Sequence, residues 1–296
     1  MKTAGQRFRE SLQQESPLQI AGTTNAICAL LAEQAGFRAI YLSGAGVANA
    51  SYGLPDLGVT SLGDVVEDVR RITAVCQLPL LVDVDTGFGT ALSIERTTQE
   101  MIRAGAAAMH LEDQVSAKRC GHRPGKMLVE TAEMIDRILA AVQARTDESF
   151  VNMARTDAVA SEGLSAAIDR ANRYLDAGAD MIFAEAITSA EDFAEFTKNV
   201  AAPVLANMTE FGKSPLLSIN QLRQAGIKMV LYPLSAFRAM NAAASLVYRE
   251  IRQKGSQAEL LERMQTREQL YKLLGYEAAE QRIDQILKSH PGEEEK

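Results

Sequence analysis

Cysteine and histidine are scarce in this chain, three of each in 296 residues. Cys28, Cys76 and Cys120 have no paired spacing, which argues against a disulfide framework and fits a reducing compartment. No paired histidines or paired cysteines suggest zinc, since the only histidines are His110, His122 and His290. Long apolar runs are missing as well, and none could span a bilayer. The opening Met1-Lys2-Thr3-Ala4-Gly5-Gln6-Arg7 leads into a polar amphipathic segment rather than a secretion signal. A cytoplasmic location without a membrane partner is therefore expected. Positive charge is in deficit: the formal net charge of −7 argues against nucleic acid as a partner. No Gly-x-Gly-x-x-Gly follows the first apolar run, so a dinucleotide fingerprint is absent.

What is present is alternation. With 47% apolar residues the chain can bury a substantial core. Eight short apolar runs read as strands: 18–22, 39–43, 78–83, 107–112, 150–154, 181–185, 203–207 and 228–232. Between them the apolar residues recur every three or four positions, as in Leu62, Val65, Val66, Val69 and Ile72, and in Leu164, Ala167, Ile168, Ala171 and Leu175. Ser61 with Asp64 and Ser189 with Asp192 resemble helix capping boxes. Ala-Gly recurs at 35–36, 104–105, 177–178 and 225–226, each time just before an apolar run, where glycine suits a left-handed helix end. Eight strand–helix units predict a (β/α)8 TIM-type barrel, with a doubly wound open sheet as the alternative. One domain is expected over 1–296, with a helical extension from about 256 and a disordered tail from about 290. In the extension Leu260, Leu261, Met264, Leu270, Leu273 and Leu274 form an apolar face for the chain's own barrel or for a neighbouring subunit.

Polar residues gather where these runs end, the catalytic face of such a barrel. They are the turn Ser43-Gly44-Ala45-Gly46, then Asp83, Asp85, Glu112, Arg155, Glu185 and Asn207. Single cases read as turns or helix caps, and Arg155 with Glu185 also reads as a salt bridge across the mouth. Asp83 and Asp85, two apart, share a direction if the strand continues through them. With Glu112 and the loop residue Asp56 they suit Mg2+, bound directly or through its waters. Further along comes Lys118-Arg119-Cys120-Gly121-His122, a thiol between cations and an imidazole, suited to proton transfer near neutral pH. Lys118, Arg119, Arg123 and Lys126 make this stretch basic on an acidic chain, either as a solvated run or as a lid for an anionic substrate.

That pentapeptide, preceded by Glu112-Asp113-Gln114, resembles the isocitrate lyase/phosphoenolpyruvate mutase superfamily. So do Tyr41-Leu42-Ser43-Gly44, Gly53-Leu54-Pro55-Asp56, Asp83 to Gly89, Ala154-Arg155-Thr156-Asp157 and Asn207 to Gly212, over a match from about Pro17 to Arg267. Ala117 to Pro124 and Leu231 to Arg238 resemble the branch that cleaves 2-methylisocitrate to pyruvate and succinate in the methylcitrate cycle. The resemblance implies a barrel lyase with Mg2+, or Mn2+ in its place, held by Asp83, Asp85, Asp56 and Glu112. It implies Cys120 as general acid on a closing loop, with Lys118, Arg119 and His122 tuning the thiol and binding charge, and Tyr41 as a candidate base. The small anionic tricarboxylate substrate would be held by Ser43, Gly44, Ala45, Gly46, Arg119, Gly121, Arg155, Glu185, Asn207 and Thr209. Phe183, Pro233 and Leu234 would line a methyl pocket. A homotetramer that exchanges its last barrel helices is implied too, with Arg267 approaching a neighbour's site. The alternatives are a lyase for isocitrate or a dimethylmalate-type acid, a phosphonate mutase and a catalytically silent binding barrel.

Overall fold

Eight parallel strands close on themselves in chain order in the computed structural model, which describes residues 2–119, 121 and 125–288. They are β1 (Leu18–Gly22), β2 (Ala39–Leu42), β3 (Leu80–Asp83), β4 (Ala108–Glu112), β5 (Val151–Thr156), β6 (Met181–Ala184), β7 (Val204–Asn207) and β8 (Met229–Tyr232). Helix α1 (Ala4–Gln14) precedes β1. The helices after successive strands are α2 (Ala26–Gln34), α3 (Leu62–Thr73), α4 (Ala91–Arg103), α5 (Thr131–Gln143), α6 (Leu164–Asp176), α7 (Ala190–Asn199), α8 (Ile219–Gln224) and α9 (Ser235–Lys254). The (β/α)8 barrel is thus present, and the open sheet is not.

Alternation along each strand divides the core in two. Ile20, Tyr41, Leu81, Met153, Phe183, Leu205 and Leu231 pack inside the barrel. Their neighbours Ile40, Leu80, Val82, Met109, Ile182 and Val230 pack outward with the helices. Helix α3 shows why the outer layer forms. Its buried Val65, Val66, Val69 and Ile72 lie on one face, the Ser61–Asp64 capping box starts it, and Arg70 and Arg71 stand in its last turn. Each such side chain contributes roughly 2 kcal/mol by leaving water. The Ala-Gly helix ends also take the expected form, with φ of 88° at Gly36, 89° at Gly105, 102° at Gly178 and 79° at Gly226. Helix α1 closes the N-terminal end of the barrel. Phe8 joins the interior cluster, and Arg9 Nε donates to the Ser149 carbonyl at 2.9 Å, just ahead of β5.

The chain divides into two compact units, Met1–Ala239 and Met240–Lys296. The first holds the whole strand barrel. The second holds the rest of α9, a 3-10 segment (Ala258–Arg263), α10 (Arg267–Leu274) and α11 (Tyr276–Lys288). The extension expected from about 256 falls inside this unit, which begins earlier, within α9. The tail expected from about 290 lies outside the described residues. Among the described residues no helix is long and apolar enough to cross a membrane.

Candidate active site at the barrel mouth

Parallel pairing sets Asp83 beside His110, Glu112 beside Arg155, and Arg155 beside Phe183. A belt of buried polar groups results at the C-terminal ends of the strands. Strand β3 stops at Asp83, and Asp85 sits in a left-handed conformation with φ 50°, so the condition that the strand persist through both is not met. The two carboxylates converge all the same. A Cβ on Gly44 would lie 3.0 Å from Asp85 Oδ1 and 3.2 Å from Asp83 Oδ2. The Gly44 N–H donates to Asp83 Oδ2 at 3.1 Å, so in this turn it serves the acidic pair. Lys118 places its ammonium against Asp56 and 2.7 Å from Asp85 Oδ1. Burial disfavours charge on Lys118, but Asp85, Asp83, Asp56 and Glu112 more than offset this and keep it protonated.

The electrostatics reveal a shortage of positive charge. Burial and the neighbouring Asp83 raise Asp85 to about 7, against the pull of Lys118. Burial also opposes ionisation of Asp83, but His110, Lys118 and Arg155 hold it down at about 2. Burial lifts Glu112 well above the carboxylate range although Arg155 draws it down, and its Oε1 is buried without a hydrogen-bond partner. Among the described residues no three Asp, Glu, His or Cys groups are clustered tightly enough to hold a metal as they stand. A hard ion that keeps several of its waters needs only one or two carboxylates, and the Asp83–Asp85 pair beside Gly44 provides them. The donor set fits a hard divalent ion on those terms.

Two further groups complete the belt. The Tyr41 hydroxyl lies 3.0 Å from His110 Nε2 and donates to Asp83 Oδ2 at 3.3 Å. Burial pushes Tyr41 well above 10 and lowers His110 to about 4, so both are neutral at pH 7. Arg155 is held by three carboxylates: Glu112 at 3.2 Å, Asp157 at 2.9 Å and Glu185 at 3.3 Å. The Arg155–Glu185 salt bridge across the mouth therefore exists. The cavity above has about 90 Å³ of free space and is lined by Tyr41, Ser43, Ala45, Asp56, Asp83, Glu112, Lys118, Arg119, Gly121, Arg155, Phe183, Glu185, Asn207, Thr209, Pro233, Leu234 and Arg238. Lys118, Arg119 and Gly121 supply part of that lining. A wider cleft of about 630 Å³ lies near the first turns of α3 and α4; it is lined by Asp85 and shares Lys118 with the smaller cavity. The buried polar groups converge on the smaller cavity, which makes it the candidate site.

This chain matches the family model described as phosphoenolpyruvate phosphomutase over residues 8–252. It is 60% identical to the 2-methylisocitrate lyase of Shewanella oneidensis, an alignment covering 96% of this chain and 98% of that protein. The chain belongs to the phosphoenolpyruvate phosphomutase family. Among solved family structures, 2,3-dimethylmalate lyase superposes with a TM-score of 0.89 at 34% identity, covering 97% of this chain and 96% of that one. Phosphonopyruvate hydrolase, solved with oxalate and Mg2+, superposes at 0.83 with 29% identity, covering 94% and 97%.

Against this family background, most residues singled out from the sequence meet at one cavity. Gly44 and Gly46 stand just behind its lining: Gly44 touches the acidic pair, and a Cβ on Gly46 would meet Leu234 Cδ2 at 3.6 Å. Cys120 and His122 lie outside the described residues. Arg267 opens α10 in the second unit. Sequence reading assigned no role to Arg238, which reaches the cavity from the first turn of α9, nor to Asp157, which grips Arg155. A basic residue one turn into the helix after β8 was the available signal for Arg238. The side chains of Lys118 and Lys126 are withdrawn from solvent and ion-paired, so these two do not belong to a solvated run.

Proposed function

We propose that this protein cleaves 2-methylisocitrate to pyruvate and succinate. The observation that carries the reading is the meeting, around one cavity, of Asp83, the buried Arg155 fork and the apolar walls Phe183, Pro233 and Leu234, with Asp85 converging on Asp83 beside Gly44. Asp83, Asp85, Asp56 and Glu112 would hold a divalent ion, Mg2+ as the first choice and Mn2+ as the second, which would supply Lewis-acid stabilisation of negative charge on the substrate's hydroxyl oxygen. Arg155, held in orientation by Asp157, takes a substrate carboxylate in its planar fork. Ser43, Asn207 and Thr209 bind the remaining carboxylate oxygens.

Tyr41 accepts the hydroxyl proton while passing its own to His110 or Asp83, since a tyrosine this buried is a poor base unless its proton has a destination. The carbon–carbon bond then breaks, its electron pair moves onto the succinate fragment and into the adjacent carboxylate, and Cys120 protonates that carbon. Arg119 and Gly121, which flank Cys120 in the chain, line the cavity and support this role. The same loop excludes water from the carbanion. The enzyme acts in the cytoplasm as a homotetramer, in which Arg267 approaches a neighbour's site. Supporting assembly, α9 has no buried residue in its 20.

Pyruvate and glyoxylate release should be assayed with 2-methylisocitrate and with isocitrate, with Mg2+ and with chelator. Pyruvate from the methylated acid, dependent on the ion, is expected. Faster glyoxylate release would reassign the substrate to isocitrate. Cleavage of 2,3-dimethylmalate alone would align the protein with its solved relative.

A further inference from the structure

Lys126 is the last of four basic residues in the run 118–126. Its side chain is only 3% exposed, and the Asp157 carboxylate opposite is fully buried. The ammonium donates to Asp157 Oδ1 at 2.6 Å and to the carbonyl oxygen of Gly121 at 2.7 Å. An ammonium withdrawn this far from water is disfavoured unless paired, and here it is paired on both sides.

Asp157 is a fixed post. Its Oδ2 accepts from Arg155 Nε at 2.9 Å and its Oδ1 from Arg155 Nη2 at 3.2 Å. Its own N–H donates to Asp113 Oδ1 at 2.9 Å, and Asp113 is held by Thr156 at 2.7 Å and Tyr174 at 2.9 Å. Gly121, at the other end of the bridge, follows Cys120 directly in the chain. It lies so close to the site that a Cβ would come within 2.5 Å of Arg155 Nη2 and 2.7 Å of Glu185 Cδ.

We propose that Lys126 is a positioning residue that clamps the Gly121 carbonyl to Asp157 and thereby fixes Gly121 against Arg155 and Glu185. The proposal rests on the functional reading above. One carboxylate then orients both partners of the reaction: the guanidinium that holds the substrate and the backbone beside the proton donor. Misplacing a proton donor by an ångström lowers the chemical step while leaving substrate binding largely intact.

Wild type, Lys126→Met and Lys126→Arg should be compared on 2-methylisocitrate with Mg2+. Lys126→Met should lose about 100-fold in kcat with KM within about threefold, and Lys126→Arg should recover at least about tenfold of that loss by donating to the same two oxygens. Iodoacetamide labelling of the Cys120 peptide, followed by mass spectrometry, reads the loop without turnover. Succinate with Mg2+ should slow labelling in wild type and fail to do so in Lys126→Met. Unchanged kcat and unchanged protection in Lys126→Met would overturn the clamp. Equal losses in both variants with a collapsed melting temperature would make the pair structural and overturn it too. Wild type that releases no pyruvate would overturn the functional reading instead, and labelling rates of the ligand-free proteins would then decide the clamp: faster in Lys126→Met supports it, equal sinks it.

Discussion

Gly121 has no room for a side chain, and that makes it a direct probe of loop seating. A methyl there meets Arg155 Nη2 at 2.5 Å and Glu185 Cδ at 2.7 Å, so the loop must lift. Gly121→Ala should lose about 100-fold or more in kcat while its melting temperature stays within a few degrees of wild type. Normal turnover would show that the loop does not seat this way during the reaction. Tyr41 offers a second probe. Tyr41→Phe removes the hydroxyl shared with His110 and Asp83, and kcat should fall by about 10²- to 10⁴-fold if that hydroxyl relays the proton. A fall below tenfold would move the base elsewhere. Much of the site was legible at this scale, because Asp83, Glu112, Arg155, Glu185 and Asn207 each end an apolar run. Lys126 and Asp157 were not legible as a pair. They stand 31 positions apart, and a buried ammonium looks the same in sequence as a solvated one.

Strand ends decide where functional side chains stand. All eight apolar runs form strands, because period-two burial inside and outside a barrel leaves continuous apolar stretches. The ends move by one or two residues for local reasons. Strand β5 continues through Arg155 and Thr156 because both pair with β6, while β6 stops at Ala184. The left-handed turn at Asp85 had no sequence signal, since non-glycine residues seldom take that conformation even though aspartate tolerates it better than most. Gly22, at the end of β1, is a case where packing dictates the residue. A Cβ there would overlap the Pro233 carbonyl after β8, the same segment that walls the cavity. Gly22→Ala should destabilise the protein by about 3 kcal/mol, read from denaturant unfolding, because neither backbone can give way without opening the β1–β8 seam. A change below about 0.5 kcal/mol would mean that the seam is looser than it looks.

Charge and surface set the behaviour of the whole molecule. The chain carries a net −7, and within the site Asp56, Asp83, Asp85 and Glu112 gather around the ammonium of Lys118. A divalent ion that relieves this repulsion stabilises the native state by an amount that grows with the logarithm of its concentration above the dissociation constant. Mg2+ at about 100 times its dissociation constant should contribute about 2.7 kcal/mol and raise the melting temperature by several degrees. Chelator should reverse this, and Asp85→Ala should abolish it; an unaltered melting curve would remove the ion from this site. The second unit makes a different demand. Tyr248 is 73% exposed, Leu261 59%, Ile283 55% and Leu287 65%, more large apolar surface than a stretch of this length leaves in water without a partner. In a homotetramer these side chains would be covered by other copies. Sedimentation should then show one four-chain species at micromolar concentration. Tyr248→Glu combined with Ile283→Asp should shift it to smaller species, because each introduces a charge that an apolar interface cannot solvate. A single-chain species in the unaltered protein would exclude the assembly, and with it any contribution of Arg267 to a neighbour's cavity.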